Sequence, residues 1–340
     1  MSATRSVIVT SFLVACACSK PESTTLQPHL AFAIGGEIGL TAARDLTVDH
    51  RGNVFVFDYR DYAIRKFDSS GTLLTTFGGT GSEPGRFEHL MEIRAQGDSL
   101  LALDPGAVSV FDLAGNLRSR RALADTITCD HPALHPGGMW AAGCIVDATA
   151  EMVLTYRRVD GSEQRQVAAY DLGEFFPGVE PGAFFFINPT QAPSYLYDFT
   201  PDARLLWAAS DRLRVLVEQE GVDRTLFEAE ATALPYPATE IAAMEERQAN
   251  LEPPLFINVP RHYRLIQHLV VSDAGDVWLY VMSQERTGLL RLSPTGSERG
   301  FYQVAADFDV LSARVAVANG SLYFMVPSQE STAIYRVELP

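Results

Sequence analysis

Apolar and polar residues along this chain come in short alternating runs, separated by Asp, Asn and Gly. The clearest stretch is residues 49–79, DHRGNVFVFDYRDYAIRKFDSSGTLLTTFGG. A turn at 49–53 feeds a run at 54–58. A second turn at Arg60 and Asp61 feeds a run at 63–68, and Ser69, Ser70 and Gly71 lead into 72–77. Each run is rich in Val, Phe and Tyr and bounded by turn formers, a pattern that predicts strands. With residues 45–48 before them, they make a four-stranded meander. One meander cannot bury both faces of its strands, so it needs neighbours of its own kind.

Those neighbours are present. Phe67-Asp68 recurs 44 residues later as Phe111-Asp112, and Gly71 recurs at the same spacing as Gly115. That period is one four-stranded propeller blade. A third, looser unit contains runs at 130–134, 139–146, 153–159 and 164–172; residues 175–193 carry no assignment. A fourth has runs at 195–199, 205–209, 212–218 and 224–229. The period then breaks at 238–250, the one helical pattern. Thr239 is placed to cap it, Pro253-Pro254 to end it, and Ile241, Met244 and Leu251 share one face. Strand rhythm resumes at 265–271, 277–282 and 288–292, and a sixth unit has runs at 311–318, 321–326 and 333–339.

The sixth unit stops one strand short. Residues 30–36, LAFAIGG, resemble the last strand of the first meander, LLTTFGG, yet precede every complete unit. They supply the missing strand and close the circle. The expected fold is therefore all-β: a six-bladed β-propeller of four-stranded blades over residues 29–340, closed by an N-terminal strand, with a helical insertion at about 230–262.

Composition agrees with this. Of 340 residues, 47% are hydrophobic, enough for a core if strands bury both faces. A net charge of −15 without any Lys/Arg run argues against nucleic acid as a partner. The N-terminus reads as an export signal. Arg5 gives a short positive region, and the apolar run at 7–15 is too short to span a bilayer. Residues 1–15 are the expected signal peptide and 16–28 a polar tether. Export puts cysteines in an oxidising compartment. The turn at 135–138 centres a hairpin midway between Cys129 and Cys144, so a disulfide is expected between them.

Two resemblances sharpen the picture. Leu13-Val14-Ala15-Cys16 resembles the bacterial lipobox, which implies that Cys16 becomes the N-terminus and carries a lipid. The Gly-Asn turn, the Val-Phe-Val-Phe-Asp and Ile-Arg-Lys-Phe-Asp strands, the Gly-x-Leu exit and the connector at 81–87 resemble the NHL-repeat family over roughly residues 46–116. Taken whole, the chain resembles bacterial six-bladed propeller lipoproteins. That resemblance implies a lipid-anchored protein of the cell envelope, on the periplasmic or outer-membrane face, whose partner is the membrane plus a protein or small-molecule ligand.

Related propeller enzymes, the lactonases and the peptide-amidating lyases, place metal ligands around the central mouth. The corresponding strand starts here carry Asp45, Glu92, His131 and His268. They are the candidate rim ligands for a metal or small molecule; without a ligand they are ordinary polar rim residues, and a register slip of one residue moves any of them to the other face. His50, His89 and His262 read as loop residues. Gly78, Gly79, Gly81 and Gly85 read as an inter-blade connector, since no helix start and no Gly-Lys-Ser/Thr follows. Asp49-x-x-Gly52 and Asp273-x-Gly275 are turns lacking the further carboxylates that calcium needs. Asn319-Gly320-Ser321 reads as a hairpin turn. No HExxH or Gly-x-Ser-x-Gly motif is present, so no catalytic residue and no cofactor is assigned. The expected function is a ligand- or protein-binding module without catalysis. The alternatives are a metal-dependent lactonase- or lyase-like enzyme acting at the central mouth, and a structural subunit of an envelope complex docking through the helix.

Overall fold

The computed structural model describes residues 24–35, 38, 40, 42–123, 130–135, 137–146, 151–171, 194–219, 221–250, 259–328 and 331–340. Cys16, Cys129, the unassigned 175–193 and the side chains of His131 and Cys144 lie outside the described residues. The expected disulfide and lipid site therefore fall outside them too.

The described residues form six antiparallel sheets arranged as blades. Blade 1 is Ala43–Val48, Val54–Asp58, Ala63–Phe67 and Leu73–Gly78; blade 2 is Glu92–Gln96, Ser99–Asp104, Ala107–Asp112 and Leu117–Ala122. Blade 3 is Asp130–His135, Met139–Val146, Glu151–Arg158 and Gln164–Asp171; blade 4 is Tyr195–Phe199, Leu205–Ala209, Arg214–Gln219 and Val222–Glu228. Blade 5 is Ile266–Val271, Val277–Met282, Thr287–Leu292 and Glu298–Val304. Blade 6 is Arg314–Ala318, Ser321–Pro327 and Ser331–Glu338, completed by His29–Gly35. The first strand of each blade is innermost, and each touches the first strand of the next, blade 6 returning to blade 1.

The ring has one core per seam, because a blade buries both faces against its neighbours. Val54, Val56 and Phe67 pack with Tyr323, Met325 and Ile334 between blades 1 and 6. Phe55, Phe57 and Ile64 pack with Leu100, Ala102 and Phe111 between blades 1 and 2. Adjacent residues of one strand thus serve opposite seams, which is why VFVFD is apolar throughout and wholly buried. Each buried Phe or Val contributes about 1.5–3 kcal/mol.

The 44-residue repeat has a physical cause. Phe67 and Phe111 are both fully buried, and the Asp after each holds a turn. Asp68 Oδ1 accepts from the amides of Ser70 and Thr72, each at 2.9 Å. Asp112 Oδ1 accepts from those of Ala114 and Asn116 at 3.0 and 2.9 Å. The paired glycines adopt φ of +88° and +91°. Each also lies against an aromatic ring of the preceding blade. A Cβ on Gly71 would stand 2.6 Å from Phe32, and one on Gly115 2.5 Å from Phe77. A side chain is barred there by both backbone and space.

Closure follows the expectation. His29–Gly35 runs antiparallel to Ser331–Glu338, with Leu30 opposite Tyr335 and Phe32 opposite Ile334. The tether reading needs a correction at its end. Thr24–Leu26 is a short strand parallel to the edge of blade 5, with Thr24 opposite Tyr302. Leu26 is buried there, and its carbonyl accepts the Ala305 amide at 2.9 Å. Two further boundaries differ from expectation: the inner strand of blade 6 begins at Arg314, not residue 311, and Thr239 lies inside the helix Ala238–Ala249. Most helix residues are exposed, with Ile241 and Met244 half-buried, so it rests on the ring lightly. Its stem is a narrow ladder, in which Tyr236 N–H donates to Arg261 and Tyr263 N–H to Leu234.

Candidate functional site

The six inner strands surround a central cavity of about 1200 Å³. Strand alternation sends some inner-strand side chains into this cavity and others into the seams. Three of the four candidate rim residues, Asp45, Glu92 and His268, line it. The side chain of the fourth, His131, is outside the described residues.

Asp45 staples two blades. Its Oδ2 accepts the Ile93 amide of blade 2 at 3.1 Å, and its Oδ1 accepts the Leu46 amide at 2.9 Å. Thr47 repeats the device two residues on, accepting the Ala95 amide at 3.0 Å. Burial raises the Asp45 carboxyl despite these donors and the nearby charges of Arg314 and Arg44. Glu92 is raised well above the ordinary range, first by burial and then by the charge of Asp45, with Arg94 pulling the other way. The ring therefore brings two carboxyl groups from adjacent blades into electrostatic contact, and the second resists ionisation.

The His268 ring is held by the connector between blades 5 and 6. Its Nε2 lies 3.0 Å from the Val310 carbonyl, an acceptor, so that nitrogen carries the proton. Burial lowers its pKa, against the Val310 hydrogen bond, which favours the protonated ring. With Nε2 protonated, the neutral ring keeps its lone pair on Nδ1. Among the described residues, no cluster of three or more His, Cys, Asp or Glu is arranged to hold one.

Several cavity residues escaped the sequence reading. Arg94, two places after Glu92 on the same strand, reaches across blade 3 to Asp198 of blade 4 at 2.5 Å. Burial opposes the Arg94 charge, but the Asp198 carboxylate more than compensates and its pKa is raised. Asp198 also staples blade 5, accepting the Val271 amide at 2.9 Å. His135 lies near this pair, its pKa lowered by burial and then by Arg94. On the far wall stand Tyr195, Tyr197, Tyr236, Tyr263 and Arg264. The period of two flags Arg94 as sharing the Glu92 face. Nothing local flags Asp198, which reads as a turn former before Pro201.

No family model matches the chain, and no curated protein matches it either. Solved structures do share its fold. A member of the duf4221 family from Bacteroides vulgatus aligns at 10% identity, covering 93% of this chain and 98% of that one, with a TM-score of 0.52. A gluconolactonase from Xanthomonas campestris aligns at 10% identity over 95% of this chain and 100% of its own, TM-score 0.46. A streptogramin B lyase aligns at 12% identity over 92% and 88%, TM-score 0.44. At these identities the likeness is one of fold, the six-bladed propeller. Several neighbours are enzymes by their own descriptions, against the expectation of a binding module without catalysis, but what they share with this chain is the fold alone. Among the described residues, no helix is long and apolar enough to cross a membrane.

Proposed function

We propose that the protein is a hydrolase or lyase acting on small cyclic esters at the central mouth, with Asp45 and Glu92 as its acid–base pair. The observation that carries this reading is their placement, lining the cavity from adjacent blades and near enough for the charge of Asp45 to raise Glu92. Two carboxyls whose surroundings push their proton affinities apart can serve as base and acid at one pH. Glu92, held protonated by burial and by its neighbour, is the acid; Asp45 is the base.

For ring opening by water, Asp45 takes a proton from the attacking water as its oxygen bonds the carbonyl carbon. The acyl–oxygen bond then breaks, and Glu92 gives its proton to the departing ring oxygen. The products are a carboxylic acid and an alcohol, and proton exchange within the pair restores its starting state. In an elimination the same base would take a carbon-bound proton and the same acid would protonate the leaving oxygen. The test is acid release from a panel of five- and six-membered lactones. Turnover by the wild type, reduced about a hundredfold or more in Glu92→Gln, supports the reading. Turnover of none of them above buffer, or an unimpaired Glu92→Gln, overturns it.

The setting we infer is the cell envelope, with residues 1–15 removed on export and Cys16 carrying a lipid. Support comes from the positive start, the apolar run and the Leu-Val-Ala-Cys end. The first two blades we also read as diverged NHL-type repeats, on the turn and strand residues quoted above.

A further inference from the structure

The insertion between blades 4 and 5 leaves its helix exposed but places the residues of its stem in the cavity wall. Tyr236 and Tyr263 face each other with ring centroids 3.9 Å apart and planes tilted by 38°. The Tyr263 hydroxyl donates to Glu240, in the first turn of the helix, at 2.9 Å. The next residue, Arg264, donates to Ser194 Oγ at 2.9 Å. Beside them, the Tyr195 ring meets Trp207 at 5.7 Å and Tyr170 at 5.4 Å, and the Tyr197 hydroxyl accepts the Gly143 amide at 2.8 Å. Four tyrosines and one arginine thus form a wall of the cavity. In a ring of six, blade 4 lies opposite blade 1 and blade 5 opposite blade 2, so this wall faces Asp45 and Glu92.

We propose that Tyr236, Tyr263 and Arg264 form a specificity-determining wall that selects substrates carrying a planar aromatic ring next to the reacting ester. The Glu240 hydrogen bond holds Tyr263, and Tyr263 lies against the Tyr236 ring, so little freedom is lost when a flat ligand stacks on them. Tyrosine faces attract aromatic rings through offset or edge-on packing. Burial and the neighbouring Glu240 push the Tyr263 hydroxyl up to about 12, so the phenol stays neutral. The positive charge of Arg264 disfavours a cationic ligand. The wall thus suits a neutral or anionic aromatic ester. An aliphatic lactone of the same ring size satisfies the acid–base pair but leaves the tyrosines without a partner.

This inference rests on the proposed function for its reacting group, but it is tested by binding. The probes are dihydrocoumarin, a fused aromatic six-membered lactone, and δ-valerolactone, its aliphatic counterpart. Affinities are measured by calorimetry on the full chain carrying Glu92→Gln, so that turnover does not interfere. Dihydrocoumarin is expected to bind about tenfold more tightly than δ-valerolactone, and Tyr263→Ala or Tyr236→Ala should erase the difference. Tyr263→Phe keeps the ring and should keep the preference, which separates stacking from loss of the Glu240 contact. An unchanged melting midpoint in the Ala variants shows that the ring is intact. Equal affinities for the two lactones, or a preference that survives both Ala substitutions, overturns the wall. Selective binding without turnover by the wild type sinks the catalytic reading and leaves the wall standing; turnover of both lactones at equal affinity does the reverse.

Discussion

Arg94 of blade 2 and Asp198 of blade 4 form an ion pair at 2.5 Å that passes over blade 3. Asp198 also accepts the amides of Phe199 at 2.8 Å and Val271 at 2.9 Å, so one carboxylate ties three blades together. Its side chain is only 12% exposed and that of Arg94 25%. Removing one member of a largely buried pair leaves the other charge uncompensated. Asp198→Ala should therefore lower unfolding free energy by about 3 kcal/mol in urea titrations. Asp198→Asn keeps an acceptor and should lose roughly half as much. The deficit should persist at about 1 M salt, where exposed pairs are screened. Variants as stable as the wild type would mean that the pair does not brace the ring.

The Glu92 carboxyl predicts a pH dependence of stability with a definite sign. In the folded chain it holds its proton well above 4.5, the ordinary value it regains on unfolding. Between those points the folded state binds more protons than the unfolded one, so stability falls as pH rises. The fall ends once pH passes the folded value. Asp45, also raised, adds a slope of the same sign. Glu92→Gln cannot ionise, so it should be more stable than the wild type at neutral pH and lose that advantage near about pH 4. Unfolding midpoints measured across that range check this; a variant tracking the wild type at every pH would refute the burial of a reluctant acid.

Much of the architecture could be read from the chain because its signals are local. VFVFD announces a strand buried on both sides, and Phe67-Asp68 with Phe111-Asp112 announces a repeat whose Asp must make a turn. The missing last strand was legible from LAFAIGG against LLTTFGG. Asp45 and Glu92 reached the cavity because strand starts in a propeller converge on its axis. The rest depends on distant partners. His268 is held by the Val310 carbonyl, which belongs to the connector leading to the next blade. Arg94 and Asp198 are 104 residues apart. Tyr236 and Tyr263 sit at the two ends of an insertion that registers in the sequence only as a broken period. Thr24–Leu26 is too short to show any period at all.

The proposed lipidation at Cys16 predicts a fractionation result. In cells that process lipoproteins, the wild type should sediment with membranes. Cys16→Ser should be released to the soluble fraction or remain as the unprocessed precursor. A Cys16→Ser protein that is cleaved and still membrane-bound would show that the cysteine is not the anchor.

Gly71 offers a test of the seam between blades 6 and 1. An alanine there meets a φ of +88° and places its Cβ 2.6 Å from Phe32. The backbone penalty and the displaced ring together should cost about 2 kcal/mol or more. Gly52 has a similar φ of +81° with no atom within 4 Å of its Cβ position, so Gly52→Ala isolates the backbone part. Chemical denaturation of both variants should rank Gly71→Ala as clearly the worse; equal losses would mean that Phe32 does not press on the turn.

The N-terminal strands make the ring's integrity measurable by truncation. His29–Gly35 buries Phe32 and Ile34 and pairs along Ser331–Glu338, while Leu30 stays exposed at 53%. Thr24–Leu26 lies one blade away, where Leu26 is 6% exposed in the seam between blades 5 and 6. The two segments therefore stabilise different blades, and the tether reading, under which removal through Gln27 is neutral, is revised. A chain beginning at residue 24 should match the full-length protein. One beginning at residue 28 loses a buried Leu and a few edge hydrogen bonds, about 2 kcal/mol. One beginning at residue 37 also loses Phe32, Ile34 and a whole row of ladder bonds, roughly 5 kcal/mol or more, and leaves the third strand of blade 6 as an open edge. Thermal and urea midpoints should therefore fall in two unequal steps. A single step at residue 28 would assign closure to the outer strand on blade 5, and no step at residue 37 would mean that the sixth blade is stable with three strands.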